Sequence, residues 1–252
     1  VLLCAGAFRR FFARFGGVFM PGYRHELKLL IREAEYLSLR SRLSFLLPAD
    51  SNARESGDYF IRSLYFDDAA MTSYYEKLSG VADRRKYRLR TYNLSDSVIK
   101  LECKQKRGDR IKKTGLTVDK KTAAELTMGD FSGLDGSKSP LAGEVVALHS
   151  KHGLRPSVIV DYEREAYIYP AGNVRLTFDK SLHAGLSSPD IFDPELLTVP
   201  VFPDGSVILE VKYDEFIPFF IRHALSGLNG SRLALSKFCL CRDKLKKYRY
   251  RL

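Results

Sequence analysis

From residue 86 to residue 106 cations recur at alternate positions: Lys86, Arg88 and Arg90, then Lys100, Lys104 and Lys106, with Glu102 set among them. A guanidinium fork matches two oxygens of a phosphate and an ammonium adds a compact point charge, so such a row suits linked phosphates. A carboxylate within it is a hard oxygen donor, able to hold Mg2+ or Mn2+ against phosphate oxygens. The combination returns at Arg24, Glu26 and Lys28, at Arg175 and Asp179, and at Glu210 and Lys212. Glu26, Glu102, Asp179 and Glu210 are therefore candidate ligands of a divalent ion.

Side chains two apart lie on one side of a strand, so each group needs an extended segment to line it up. Strands are expected at 23–29, 59–66, 84–92, 99–106, 114–118, 158–167, 173–179 and 207–213. The turn formers of 93–97 join the third and fourth of these into a hairpin. Helical spacing, caps and stops predict helices at 32–47, 120–128, 141–152, 217–228 and 231–245. A short one lies within 67–80, capped by Asp67 or Asp68. The segments 51–58, 129–140 and 181–205 read as loops.

One hairpin with a charged face would be an ordinary solvated sheet. Five separated strands with charge on one face and apolar residues on the other suggest more. The expectation is an α+β fold: a closed antiparallel β-barrel with helices packed outside, its charges turned into a water-filled lumen. Two cations about 4 Å apart repel by about 4 kcal/mol at an effective dielectric near 20, so the lining is costly unless a polyanion neutralises it.

The chain of 252 residues carries 41 Lys and Arg against 30 Asp and Glu, a formal charge of +11 that points to an anionic partner. Its 45% hydrophobic content supports an ordinary globular core. Four cysteines without a paired framework or CxxC unit suit a reducing, cytoplasmic setting, and Cys239 and Cys241 read as helix packers. No apolar run is long enough to span a bilayer. Residues 1–22 form a basic, apolar leader or tail set apart from a single domain at 23–252, and residues 1–20 are the one place for membrane contact. The aromatic residues fall in strands that read as buried rather than on a base-stacking surface, and nucleic acid is not expected. The five histidines show no ligand set, and 244–251 reads as a solvated basic tail.

Tyr23-Arg24-His25-Glu26-Leu27-Lys28 resembles the opening motif of the VTC domain, the polyphosphate polymerase branch of the triphosphate tunnel metalloenzymes (CYTH superfamily). So do Ile61-Arg62-Ser63-Leu64-Tyr65-Phe66-Asp67, the run from Tyr75-Glu76-Lys77 to Arg90-Thr91-Tyr92, and Leu101-Glu102-Cys103-Lys104. Tyr162-Glu163-Arg164-Glu165-Ala166-Tyr167, Arg175-Leu176-Thr177-Phe178-Asp179, Ile208-Leu209-Glu210-Val211-Lys212 and Ser236-Lys237-Phe238 complete the family's order. The resemblance covers about residues 23 to 247. It implies an eight-stranded antiparallel tunnel in which the γ-phosphate of ATP or another nucleoside triphosphate passes to inorganic polyphosphate, assisted by Mn2+ or Mg2+. It also implies that Lys28, Arg88, Arg90, Lys104, Arg164, Arg175 and Lys237 grip phosphates. Glu210 and Glu26 would hold the metal, and Glu102 would act beside Arg88, Arg90 and Lys104 in catalysis. The simpler hydrolases of the superfamily carry two alternating glutamates before the first-strand lysine. Position 24 here is Arg, which disfavours a two-metal hydrolase. No transmembrane helices accompany the domain, so membrane delivery of product is not expected. A triphosphatase or polyphosphatase using water as acceptor, and a non-catalytic polyanion binder, are the alternative readings.

Overall fold

The computed structural model describes residues 25–50, 57–108, 110–186, 188–229, 231–232 and 234–249. The leader at 1–22, Arg24 and most of the loop at 51–58 lie outside them. Among the described residues ten strands run His25–Ile31 (β1), Asp58–Asp67 (β2), Asp83–Tyr92 (β3), Ser95–Arg107 (β4), Arg110–Val118 (β5), Arg155–Tyr169 (β6), Val174–Gly185 (β7), Thr198–Pro200 (β8), Val207–Tyr213 (β9) and Ser231–Arg232 (β10). Six α-helices among them run Glu33–Leu46 (α1), Thr72–Leu78 (α2), Lys120–Met128 (α3), Pro140–His152 (α4), Phe219–Leu225 (α5) and Lys237–Arg249 (α6).

The sheet order is β10-β1-β9-β7-β6-β2-β3-β4-β5, with β8 on β7, and the pairings in register are antiparallel. This corrects the expected closed eight-stranded barrel: the α+β class stands, but the sheet is open, with β10 at one end and β5 at the other. The two end strands give the physical reason. β10 offers two residues, paired to Leu29 and Leu30, too few for a closing ladder. β5 places Lys112 and Lys113 on an edge, and charged edges resist further pairing.

The chain groups into two compact units, with β6 and β7 passing through both. The first comprises the described part of Val1–Asp58 with Glu165–Asp179 and Asp204–Ala234. Leu27, Leu29 and Ile31 of β1, Val174, Leu176 and Phe178 of β7, and Leu209 and Val211 of β9 form its apolar sheet face. Tyr36, Leu39 and Leu43 of α1 cover that face at helical spacing, as do Ile221, Ala224 and Leu225 of α5. Glu165 is buried here and satisfied by three donors: the hydroxyls of Tyr36 and Tyr167 and the Arg40 guanidinium.

The second unit comprises Tyr59–Arg164, Lys180–Pro203 and Leu235–Leu252. Leu64 and Phe66 of β2, Tyr87 and Leu89 of β3, and Ile99, Leu101 and Cys103 of β4 pack under Ala123 and Leu126 of α3 and Leu141, Ala142 and Val145 of α4. Local chemistry fixes the helix ends. The Asp119 carboxylate accepts the Thr122 N–H at 2.7 Å, and Gly129 closes α3 in the left-handed region. Asp68 and Asp67 both cap α2, accepting from the N–H groups of Thr72 and Ser73 at 2.9 Å each.

Elsewhere the segments depart from expectation. The β3–β4 turn is the two residues Asn93-Leu94, both at φ 54, rather than 93–97. β7 continues through Ser181 into what reads as loop, and β8 pairs with that continuation. The helix expected at 231–245 is instead the short β10 followed by α6 from Lys237. The basic tail is helical to Arg249, and Lys246 lies 4.1 Å over the Tyr74 ring. Cys239 and Cys241 are buried in α6, as expected of packers.

Candidate phosphate-binding site

In the second unit the strand registers stack the charged face into three rows. Lys86, Lys104 and Lys113 stand opposite one another across β3, β4 and β5. The next row is Tyr65, Arg88, Glu102 and Gly115, and the third Ser63, Arg90, Lys100 and Thr117. Opposed residues on adjacent strands lie about 5 Å apart at Cβ, so the side chains of a row touch. Gly115 brings no side chain opposite Glu102, and Lys113 reaches diagonally to that carboxylate.

The centre of this face is withdrawn from solvent, while Lys86, Arg88, Lys100 and Lys104 are half-buried and Lys113 is exposed. Glu102 is 2% exposed and Arg90 6%. Arg88 donates to Glu102 from Nε at 2.8 Å, with Nη2 2.7 Å from the same carboxylate oxygen as an ion pair, and donates to the Tyr65 hydroxyl from Nη1 at 3.0 Å. Arg90 donates from Nε to Ser63 Oγ and from Nη2 to the Tyr162 hydroxyl, both at 3.0 Å. Each arginine is thus held by one phenol and one further oxygen. These bonds use the Arg88 Nε hydrogen and one of those on Nη1, so each terminal nitrogen keeps at least one hydrogen to offer.

Around Tyr162 stand two further predicted cations: Lys237 Nζ lies 4.8 Å over its ring and the Arg164 guanidinium 5.3 Å. Lys86 donates to Ser236 Oγ at 2.8 Å and lies 5.0 Å over the Phe238 ring, which fixes the first turn of α6 on the face. Burial would raise the Glu102 pKa, but Arg88, Arg90 and Lys113 outweigh it and hold the carboxyl at about 2. Burial would lower the Arg88 pKa, and Tyr65, Glu102 and Tyr162 raise it instead. Lys86 has less compensation, and burial lowers it.

The first unit builds its own charged face in two rows: Glu26, Lys212 and Arg175 in one, Lys28, Glu210 and Thr177 in the next. Lys28 Nζ lies 2.8 Å from Glu26 and 3.9 Å from Glu210, and Lys212 lies 3.2 Å from Glu210. Glu210 and Asp179 are 4% and 1% exposed. Burial would lower the Lys28 pKa, yet Glu210, Glu26 and Asp179 together raise it. Arg175 donates to the buried Asp50 at 2.6 Å, an ion pair that the sequence pattern did not disclose.

Among the described residues no group of three or more His, Cys, Asp or Glu is placed to hold a metal ion. Two carboxylates, Glu26 and Glu210, do flank one point, now taken by the Lys28 ammonium. That donor set fits Mg2+ or Mn2+, which need one or two carboxylates when waters and substrate phosphates complete the shell. Within the second unit the structure brings Arg88, Arg90 and Glu102 together, with Arg164 and Lys237 about Tyr162 and Lys104 one row away. Within the first it brings Glu26, Lys28 and Glu210 together, with Arg175 one row away. Sequence reasoning assigned no role to Ser63, Tyr65, Lys113, Tyr162 or Ser236. Alternation puts Ser63 and Tyr65 on one face, but only the register shows them opposite Arg90 and Arg88.

The model of the VTC domain family matches residues 23–246, and the chain belongs to that family. A protein of Bacillus halodurans assigned as a candidate adenylate cyclase is similar in structure, at 14% identity and a TM-score of 0.46, with 80% of this chain and 83% of that one covered. The PH1819 protein of Pyrococcus horikoshii OT3 is similar at 11% identity and a TM-score of 0.43, over 87% of this chain and 99% of that one. No curated protein matches.

Proposed function

We propose that this chain is a metal-dependent polyphosphate polymerase, transferring the γ-phosphoryl group of ATP or a related triphosphate to the end of a polyphosphate chain. The observation that carries the reading is the pair Arg88 and Arg90, two residues apart on β3, Arg90 buried and Arg88 half-buried, with guanidinium hydrogens left for an anion. In the transfer a terminal oxygen of the acceptor chain forms a bond to the γ-phosphorus while the bond to the β–γ bridging oxygen breaks, and the diphosphate leaves with that oxygen. Such a reaction needs positioning and charge neutralisation more than covalent help from the protein.

In this reading Arg88, Arg90 and Lys104 neutralise the charge developing on the transferred group. Arg164 and Lys237 hold the phosphates alongside, with Lys28 and Arg175 as the cations of the first unit. Glu102 acts by holding Arg88 in place. Glu210 and Glu26 are the carboxylates that would hold Mn2+ or Mg2+, which supplies neutralisation of phosphate oxygens when bound. Lys28 would then turn from the carboxylates to a phosphate.

Incubation with ATP and Mn2+, followed by separate assays for chain phosphate and free phosphate, tests the proposal. Chain phosphate is the expected product, and free phosphate alone would make the protein a hydrolase. Glu210→Gln is expected to lower the metal-dependent rate by at least about a hundredfold with the circular dichroism spectrum kept. An unchanged rate would remove Glu210 from the metal site.

A further inference from the structure

The tyrosines of this protein divide by what their hydroxyls do. Tyr36 and Tyr167 donate to Glu165, Tyr87 donates to Glu144 at 2.6 Å, and Tyr74 donates to Asp243. Tyr65 and Tyr162 do the reverse: their oxygens accept from Arg88 Nη1 and Arg90 Nη2 at 3.0 Å each, and among the described residues the Tyr65 hydroxyl donates to none. The Tyr65 ring is fixed against Phe238, with centroids 5.2 Å apart, and under the Arg88 guanidinium at 5.8 Å. A buried O–H without an acceptor is costly, and one set among cations is aimed at an anion.

We propose that Tyr65 is a direct phosphate ligand of the second unit, donating its hydroxyl hydrogen to a phosphate oxygen that Arg88 also holds. The inference rests on the phosphate-binding reading of that face and adds a neutral donor to its cations. Arg88 and Tyr65 then form one unit, with the guanidinium orienting the phenol oxygen so that the hydrogen points to the ligand.

The proposal has a pH signature, set by the groups around the phenol. Lys86, Arg88 and Arg90 face it from β3. Glu102 of β4 is tied to Arg88, Tyr162 of β6 to Arg90, and Lys237 and Cys239 lie on α6 with Phe238. Burial would raise the Tyr65 pKa, but Arg88, Arg90 and Lys86 bring it down to about 8, whereas burial and Asp243 push Tyr74 up to about 12. A phenolate can no longer donate and repels phosphate. A bound polyanion therefore raises the Tyr65 pKa, and by linkage affinity falls as pH rises above about 8.

Calorimetric titration with inorganic tripolyphosphate, comparing the full chain with Tyr65→Phe from about pH 6.5 to about pH 9.5, tests this around the phenol's pKa of about 8. The ratio of the two dissociation constants cancels the ionisation of the ligand itself. It is expected to favour the unsubstituted protein by about tenfold on the acid side, and to fall through one and reverse on the alkaline side, where the phenolate repels the ligand and phenylalanine does not. A tyrosinate absorbance titration of the unsubstituted protein is the second readout. One phenol should titrate near 8, move upward with tripolyphosphate bound, and be missing from Tyr65→Phe. A ratio of one throughout, or a ratio independent of pH with the absorbance transition unmoved by ligand, overturns the assignment of Tyr65 alone. Failure of the unsubstituted protein to bind tripolyphosphate overturns the phosphate reading together with it.

Discussion

At the scale of single residues, two of the buried carboxylates of the second unit make opposite predictions. Glu102 has a folded pKa of about 2 against an ordinary value of 4.5, so its charge stabilises the fold above about 4.5. That contribution, about 3 kcal/mol, is lost as pH falls from about 4.5 to about 2. Urea unfolding across that range should show Glu102→Gln lacking this part of the acid sensitivity, and equal slopes for both proteins would refute it. Asp161 behaves otherwise: burial raises its pKa in spite of Arg62, which donates to it from Nε at 3.0 Å and Nη2 at 2.8 Å. Arg62→Met leaves that carboxylate buried and alone, which should cost about 3–5 kcal/mol at neutral pH and less in acid, where Asp161 takes up a proton. Adding Asp161→Leu should recover most of the loss. A double variant as unstable as the single one would mean that packing, not charge, is responsible.

At the scale of elements, the β3–β4 hairpin sets the register on which Arg88 meets Glu102, and its turn carries avoidable strain. Leu94 adopts φ 54, where a side chain costs about 1–2 kcal/mol and glycine nothing. Leu94→Gly loses about 0.5–1 kcal/mol to backbone entropy, so a net gain of about 0.5–1 kcal/mol is expected, seen as a higher midpoint of thermal unfolding. A lower midpoint would show that the Leu94 side chain packs more than it strains. The hairpin was legible in sequence because one face is apolar and the other charged, and β9 was legible for the same reason. The outer half of β7 was not: Ser181 at φ 49 breaks the alternation, and Leu182, Ala184 and Gly185 are all buried. The stretch before α6 misled because Leu235, Phe238, Cys241 and Leu245 recur at three- and four-residue steps, a helical spacing that does not mark where the helix begins. Barrel closure is written in no single strand, since it depends on whether two end strands find each other. The cations of the site could be read from alternation, whereas Tyr65, Tyr162 and Lys113 gain their roles only from register.

At the scale of the whole molecule, a formal charge of +11 attracts any polyanion, so binding alone does not distinguish a site from a surface. Salt does distinguish them. A loose basic surface binds duplex DNA by counterion release, and six to ten phosphate contacts lose about a thousandfold or more between about 0.05 and 0.2 M salt. Arg90 and Glu102 are instead buried and Arg88 half-buried, where mobile ions screen charge less. Tripolyphosphate affinity should therefore fall by no more than about tenfold over that range, while any duplex DNA binding collapses. Mn2+ should strengthen the first, where terminal phosphates can share a divalent ion with Glu210 and Glu26, and should not strengthen the second, with whose cationic contacts it competes. Parallel salt titrations with the two ligands, with and without Mn2+, decide the matter. Equally steep salt dependence for both, and indifference to the metal, would make the cationic faces a general polyanion-binding surface rather than a catalytic one.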